Sequence, residues 1–514
     1  VKRLKNQYII CFVILSFVLV SCEMAGIDEE EELQTVYNLY NHYSKYIATD
    51  DTDLGAPLYR NRTRGAVHMM QSSNGFYYAY DGDAGNWPIH RSEDGVYWER
   101  LGNGGEAYPQ GTWGQRNFWV PEVIENNGRY YMFYCAREDY DTRSSRIGVA
   151  ISDSPEGPFI DTGIPLFDGT EMEDWHVIDP NPFIDPDSGK KYLYFVKDGA
   201  LYTYWNDDLN KEIGESRIYG VQLSDDMLSV EGEARLLLRP SQQWEYKSHL
   251  LNGRKLWNEA PQILKKEGVY YLMYSANFFK TEHYAVGYAT SQAPLGVYEK
   301  DENNPVIGSV GNIKKAGHNS VIRSRDGSEY FTSYSTLGDG RYLSRIGFRK
   351  NGSLYVNGPV KGYQVMPGGT TDYVNYAEEA EISTSSTKAL YETEAITDGE
   401  IGIYERYEGY EWSSDGEREG AWVQLHWEKS QKVELILIYT SALQSRKVQK
   451  GQVTLNGDTK QTISDINIPA DPGEPAIIRF PKGMKISSLK FEVTGLQSSE
   501  GISGMSEIMV LGKK

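Results

Sequence analysis

Residues 258–275 read NEAPQILKKEGVYYLMYS, and residues 119–135 read WVPEVIENNGRYYMFYC. Each places an acid beside proline, then a turn glycine, then a run of aromatic and aliphatic side chains. The second half of the phrase returns at Gly75 (GFYYAY), Gly128 (GRYYMFY), Gly189 (GKKYLYF), Gly268 (GVYYLMY) and Gly327 (GSEYFTSY). Such runs suit a pleated, half-buried strand that follows a turn. A weaker echo trails most copies: IHRSEDGVYWERLG from Ile89, IGVAISDSPEGPFID from Ile147, YGVQLSDDMLSVEG from Tyr219 and VGYATSQAPLGVYEK from Val286. Each unit is therefore a pair of hairpins, and recurrence at roughly 50 to 80 residues is the mark of a radial array. The expected fold is all-β, with a five-bladed β-propeller over residues 44–362. A tyrosine-rich β-sandwich is the competing arrangement, but sandwiches do not repeat one phrase in this way.

A chain of 514 residues exceeds one compact core and implies two or three domains. Its net charge of −20 denies it the basic face that phosphate binding needs, so no nucleic-acid partner is expected. Thirty-nine tyrosines and eleven tryptophans favour strands and supply flat faces that stack on sugar rings. Of three cysteines, Cys11 and Cys22 stand at the start and only Cys135 falls in the body, which leaves no intrachain disulfide. Residues 1–21 carry Lys2, Arg3 and Lys5, an apolar run from Tyr8 to Val20, and a small-residue site before Cys22. Thirteen apolar residues are too few to span a bilayer. The segment resembles a bacterial lipoprotein signal. That implies lipidation at Cys22, a place in the cell envelope at the outer membrane, exposure at the surface, and a tether over residues 22–43 with its acidic run Asp28 to Glu32. A monomer is expected.

Hydrolysis of a glycosidic bond needs one carboxylic acid to protonate the leaving oxygen and a second carboxylate to activate water or attack the sugar. Glu122, Asp179 and Glu259 precede the second, third and fourth hairpins, read as one common offset from the repeat phrase. The segments FWVPEV, IDPNPF, NEAPQI and GHNSVIRSRDG, together and in this order, resemble those of glycoside hydrolase family 43 over most of residues 58–358. The resemblance implies that Glu259 is the general acid and that Asp179 orients it and tunes its pKa. It implies further that His318 lies near the axis in contact with substrate, water or an ion, and that Arg345 lies at the pocket floor. Glu122 and His176 are expected to contact substrate. Trp119 and Trp175, with Trp87 and Trp113, are candidates for sugar stacking.

One departure stands out. The family's base is an Asp about eleven residues before the second Tyr of the first hairpin, and counting back from Tyr78 reaches Val67, within RTRGAVHMMQSSNGFYYAY. Three alternatives follow: His68 takes the role, since imidazole titrates near neutrality; Asp81, or else Asp83, Asp51 or Asp53, supplies the carboxylate; or the site works without a protein base. No local spacing marks a catalytic zinc. No cofactor is required, and a structural calcium on the axis is compatible with the pattern.

After residues 363–373, read as a linker, the repeat phrase stops. Residues 374–514 resemble a discoidin-type β-sandwich, or jelly roll, and their aromatic loop of Tyr404, Tyr407, Tyr410 and Trp412 suits glycan binding. The expected whole is an exo-acting, inverting glycoside hydrolase that removes arabinofuranosyl, xylosyl or galactosyl residues from plant or algal polysaccharide. The alternative is a non-catalytic glycan-binding surface lipoprotein whose propeller has lost its base.

Overall fold

The computed structural model describes residues 58–60, 68–81, 87–101, 107–138, 145–166, 176–199, 203–248, 255–336, 340–404, 409–497 and 499–514. The expected signal, Cys22 and the tether lie outside these residues, as do Asp51, Asp53, Val67, Asp83, Trp175 and Tyr407. The described chain is nearly all strand and divides into two units, one running to Asp372 and the other from Tyr373 onward, with Asp471–Glu474 assigned to the former.

In the first unit, each copy of the Tyr-Tyr phrase forms the second strand of a four-stranded antiparallel meander. The five meanders open with His68–Gln71, Arg116–Asn126, Val177–Ile184, Lys255–Lys266 and Ala316–Arg323. Their second strands, such as Tyr77–Tyr80 and Val269–Ala276, are buried on both faces over nearly their whole length. A strand covered on both sides reads as a continuous apolar run. Tyrosine serves here because its ring fills the core while its hydroxyl reaches a neighbour. Tyr80 donates to Pro155 O at 2.8 Å, Tyr194 to Pro294 O at 2.9 Å, Tyr271 to Gly352 O at 2.9 Å and Tyr77 to Arg323 O at 3.0 Å, and each bond joins two adjacent meanders.

The opening strands touch in cyclic order, first to second and onward, with the fifth returning to the first. The third and fourth meanders are also continuous. The long strand Lys211–Leu223 pairs in parallel with the fourth opening strand, Gly214 to Lys255 through Ser216 to Trp257, and so merges them into one nine-stranded sheet. Tyr363–Val365, inside the stretch read as a linker, pairs with Leu58–Arg60 and belongs to this unit.

Four opening strands carry bulges, with register shifts at Arg116/Trp119 and Trp119/Glu122 in the second, and at Ile178/Asn181, Glu259/Gln262 and Gly317/Asn319 in the others. In each of these strands one non-glycine residue within a shift takes positive φ: Asn117 at 55°, Asp179 at 52°, Ala260 at 50° and His318 at 50°. Bulges re-aim side chains, and strain of this kind collects at functional sites.

The second unit holds eight strands in one hydrogen-bonded set, dominated by Trp422–Thr440, Ala476–Gln497 and Gly504–Lys513. The alternating Val433, Leu435, Leu437 and Tyr439 are all buried. Glu507 is fully buried in its final strand and accepts from Gly399 N at 3.0 Å. Burial, then the nearby Asp398, Glu378 and Glu400, push its pKa well above 4.5. A carboxyl whose folded pKa is raised gives stability that is complete below the unfolded pKa and is lost as pH rises towards the folded one. Glu507→Gln is therefore expected to raise the thermal midpoint of this unit near neutral pH, by roughly 4 °C for each kcal/mol recovered. The gain should vanish near pH 4, and calorimetry at both values checks it.

Candidate active site

The bulge in the third opening strand turns Asp179 so that its Oδ2 accepts from Ala260 N at 3.0 Å, which links the third bulge to the fourth. Glu259, beside Ala260, accepts from the Tyr284 hydroxyl at 2.9 Å. Tyr284 comes this close because residue 317 is glycine: a Cβ there would meet its ring at 2.3 Å. The next residue, His318, is fixed by its own N–H, which donates to Ser275 Oγ at 2.8 Å.

Asp179 and Glu259 are partly exposed, yet protein crowds both, and this desolvation is the leading cause that raises their pKa values. For Asp179, the His318 charge and the Ala260 N–H oppose the rise, while Asp198 and Glu122 add to it. Glu259 feels two negative neighbours. The Asp179 and Asp198 charges push it further up, and only the Tyr284 hydrogen bond pulls it down. Of the two, Glu259 keeps the proton. Two carboxyl groups driven apart in this way form an acid and its modulator.

One level beneath the bulges lies a polar hub. Glu122, Asn181 and Gln262 face Phe133, Tyr194 and Met273, each five residues after its repeat glycine, and His68 faces Tyr80 in the same way. Glu122, 5% exposed, accepts from Gln262 Nε2 at 2.7 Å and from Asn181 Nδ2 at 3.2 Å, and meets His68 Nδ1 at 2.5 Å. Val123 N donates to His68 Nε2 at 2.7 Å. Both imidazole nitrogens are thus engaged, and both Glu122 oxygens point into protein. The three acids read at one offset occupy three different levels: Asp179 is level with Ala260, Glu259 lies one residue before that level, and Glu122 lies in the hub.

The other expected residues divide. His176, 2% exposed, accepts from Ser145 N at 2.7 Å on Nδ1 and turns Nε2 to Asp198 Oδ2 at 3.0 Å. Asp81 forms a two-pronged pair with Arg341, at 2.8 and 2.9 Å. Arg345 is placed away from this end of its sheet. It pairs with Phe331 in the ladder, near the turn, and with Glu329 at 3.0 Å, whereas Arg341 pairs with Ser335, beside Gly317 and His318. Trp87 is fully buried against Tyr108, Phe118 and Tyr134, and Trp113 stacks on Tyr134. Trp119 is partly buried against the core. Trp412 is buried, with its Nε1 on Ser386 O at 3.1 Å, and belongs to the second unit's core. Tyr404 and Tyr410 are partly exposed. The sequence reading passed over Trp257, two residues before Glu259, which is partly exposed and lies 5.2 Å from Phe278 at 30°. Among the described residues no group of three or more His, Cys, Asp or Glu forms a metal cluster, and no donor set is assigned to calcium.

Residues 56–347 match the family model described as Glycosyl hydrolases family 43, and residues 375–511 match one described as a domain of unknown function (DUF7402). A crystal structure of a thermostable family-43 glycoside hydrolase is 34% identical with a TM-score of 0.53, over 63% of this chain and 100% of that one. A β-D-galactofuranosidase of Aspergillus niger is 28% identical over 231 residues, 43% of this chain and 56% of its own length. A xylosidase/arabinosidase of Bacteroides ovatus is 30% identical over 209 residues, 38% of this chain and 59% of its own. The chain thus spans somewhat more than half the length of the curated relatives it matches.

Proposed function

Because the chain belongs to glycosyl hydrolases family 43, we propose that it is an exo-acting, inverting glycoside hydrolase with Glu259 as general acid and Asp179 as the carboxyl that holds and tunes it. The observation that carries this reading is the raised, proton-holding Glu259 beside Asp179 across two strained bulges. The proposed frame is a five-bladed propeller. Five meanders whose opening strands touch in a cycle support it, and the bulge residues then face the axis.

Of the candidate bases, Asp81 suits the role better than His68. Its two oxygens are held by Arg341 and each keeps a lone pair, whereas both His68 nitrogens are engaged. An inverting pair needs about 6.5–9.5 Å between carboxyls for the water to fit. Trp257 with Phe278 is the proposed sugar-stacking face. The substrate class is arabinofuranosyl, xylosyl or galactosyl ends of plant or algal polysaccharide, in keeping with the names of the relatives. The second unit is proposed as a discoidin-type sandwich that holds glycan, and Cys22 as a lipid anchor at the outer membrane; both rest on the sequence.

Val67, standing where the family carries its base, favours a second reading, glycan binding without cleavage. Incubation of the parent, Asp179→Asn and Asp81→Asn with arabinan, xylan, arabinogalactan and algal galactans separates the two. Release of monosaccharide by the parent, lowered on the order of 10²-fold or more in both variants, is the expected result. Binding without release by the parent would establish the second reading.

A further inference from the structure

Asp198 was not singled out in the sequence and belongs to no motif above, yet the chain builds a cradle around it. It follows Lys191–Lys197, the strand that pairs with the opening strand of Asp179, with Val177 opposite Lys197 and Ile178 opposite Val196. Asp198 N donates to His176 O at 2.9 Å, so the two residues face each other at the bulge end of the sheet. Two side chains then grip its carboxylate, and a backbone amide aims each of them. Ser145 N donates to His176 Nδ1 at 2.7 Å, which leaves the proton on Nε2 and directs it to Asp198 Oδ2 at 3.0 Å. Gly199 N donates to Ser216 Oγ at 3.1 Å, and that hydroxyl donates to Asp198 Oδ1 at 3.0 Å. His176 and Ser216 are 2% and 0% exposed, so neither donor is free to swing away.

We propose that Asp198 is a positioning residue of the site: a fixed anion, set by His176 and Ser216, that together with Asp179 keeps Glu259 in its proton-donating form. The proposal rests on the reading of Glu259 as the acid. A carboxylate that receives two aimed donors is favoured as the anion. Burial opposes its charge, but the His176 and Ser216 hydrogen bonds and the Lys255 charge outweigh it, and its pKa is lowered. In return, the Asp198 charge raises both Asp179 and Glu259. The groups acting on Glu259 are Asp179, Asp198 and the Tyr284 hydroxyl. Those acting on Asp179 are His318, Ala260 N–H, Asp198 and Glu122, with the buried Cys135 thiol nearby. The two negative neighbours of Glu259 favour its protonated form, while His318 bears on Asp179 and Lys255 on Asp198.

Hydrolysis needs Glu259 protonated, so activity falls as pH rises through its pKa, and removal of a negative neighbour lowers that pKa. In Asp198→Asn the basic limb of kcat/KM should move to lower pH while the acidic limb stays in place. A second readout does not depend on turnover: the infrared band of the protonated Glu259 carboxyl, identified by its loss in Glu259→Gln, should disappear at lower pH in Asp198→Asn than in the parent. Asp198→Ser, which also removes the charge and keeps a polar side chain facing His176, should shift limb and band in the same direction, and it carries the test if Asp198→Asn fails to fold. An unmoved basic limb and unmoved band in a folded variant, whatever the loss of rate, would overturn the proposal. A parent that cleaves no glycan would sink the hydrolase reading alone, because the band still reports on Asp198.

Discussion

Glu259→Gln is expected to lower kcat by on the order of 10²–10⁴-fold on any glycoside the parent cleaves, with binding retained. The amide has the size of the carboxyl and its oxygen still accepts from Tyr284, so the bulge and its neighbours stay in place. What it lacks is a proton to give. The leaving oxygen must then depart as an alkoxide, and the deficit should depend on how well the leaving group bears charge. An aryl glycoside with an acidic phenol departs without help, so the variant should recover most of its rate there. The basic limb of the pH profile should vanish with the group that creates it. A variant as active as the parent on unactivated glycan would remove Glu259 from the acid's role, and a deficit equal on both substrates would point to damage elsewhere in the site.

The residues behind this expectation were legible to different degrees. The Tyr-Tyr phrase was readable because the second strand of each meander is buried on both faces, so its apolar run is unbroken and returns with each sheet. Glu259 and Asp179 were readable because proline and a fixed motif accompany them. Their levels were not, because a bulge inserts residues without any composition of its own: Asn117, Asp179, Ala260 and His318 share a backbone state and no chemistry. Arg341 and Arg345 stand four apart in one strand, and only the register tells which end of the sheet each reaches. Asp198 reads as an ordinary acid after a strand. Its meaning comes from Ser216 and from His176, itself aimed by Ser145 N, which folding alone brings to it. The merging of the third and fourth meanders through Lys211–Leu223 is a parallel pairing of the same non-local kind.

Glu122→Ala should be the most damaging single change to stability, with a cost of about 3–5 kcal/mol, since it removes a buried charge that several partners have no other means of satisfying. His68, Asn181 and Gln262 come from the first, third and fourth meanders, and all three direct a side-chain nitrogen at this one carboxylate. Gln262 in turn accepts from Val321 N of the fifth at 3.4 Å, and Ser320 beside it accepts from Met69 N of the first at 3.1 Å. Each donor left without an acceptor costs about 1–3 kcal/mol, because the four hub residues are buried, with exposures of only 5–7%. The loss should therefore appear as one lowered urea midpoint for the whole first unit, with an unchanged slope, rather than as fraying of the second meander. Glu122→Gln should cost less, since one amide oxygen still accepts while its NH₂ is set against a donor. The opposite pattern would return Glu122 to the role the sequence suggested: a midpoint close to the parent's with KM raised severalfold would mean that its carboxylate serves substrate, and that the sheets are held together by their strands and tyrosines alone.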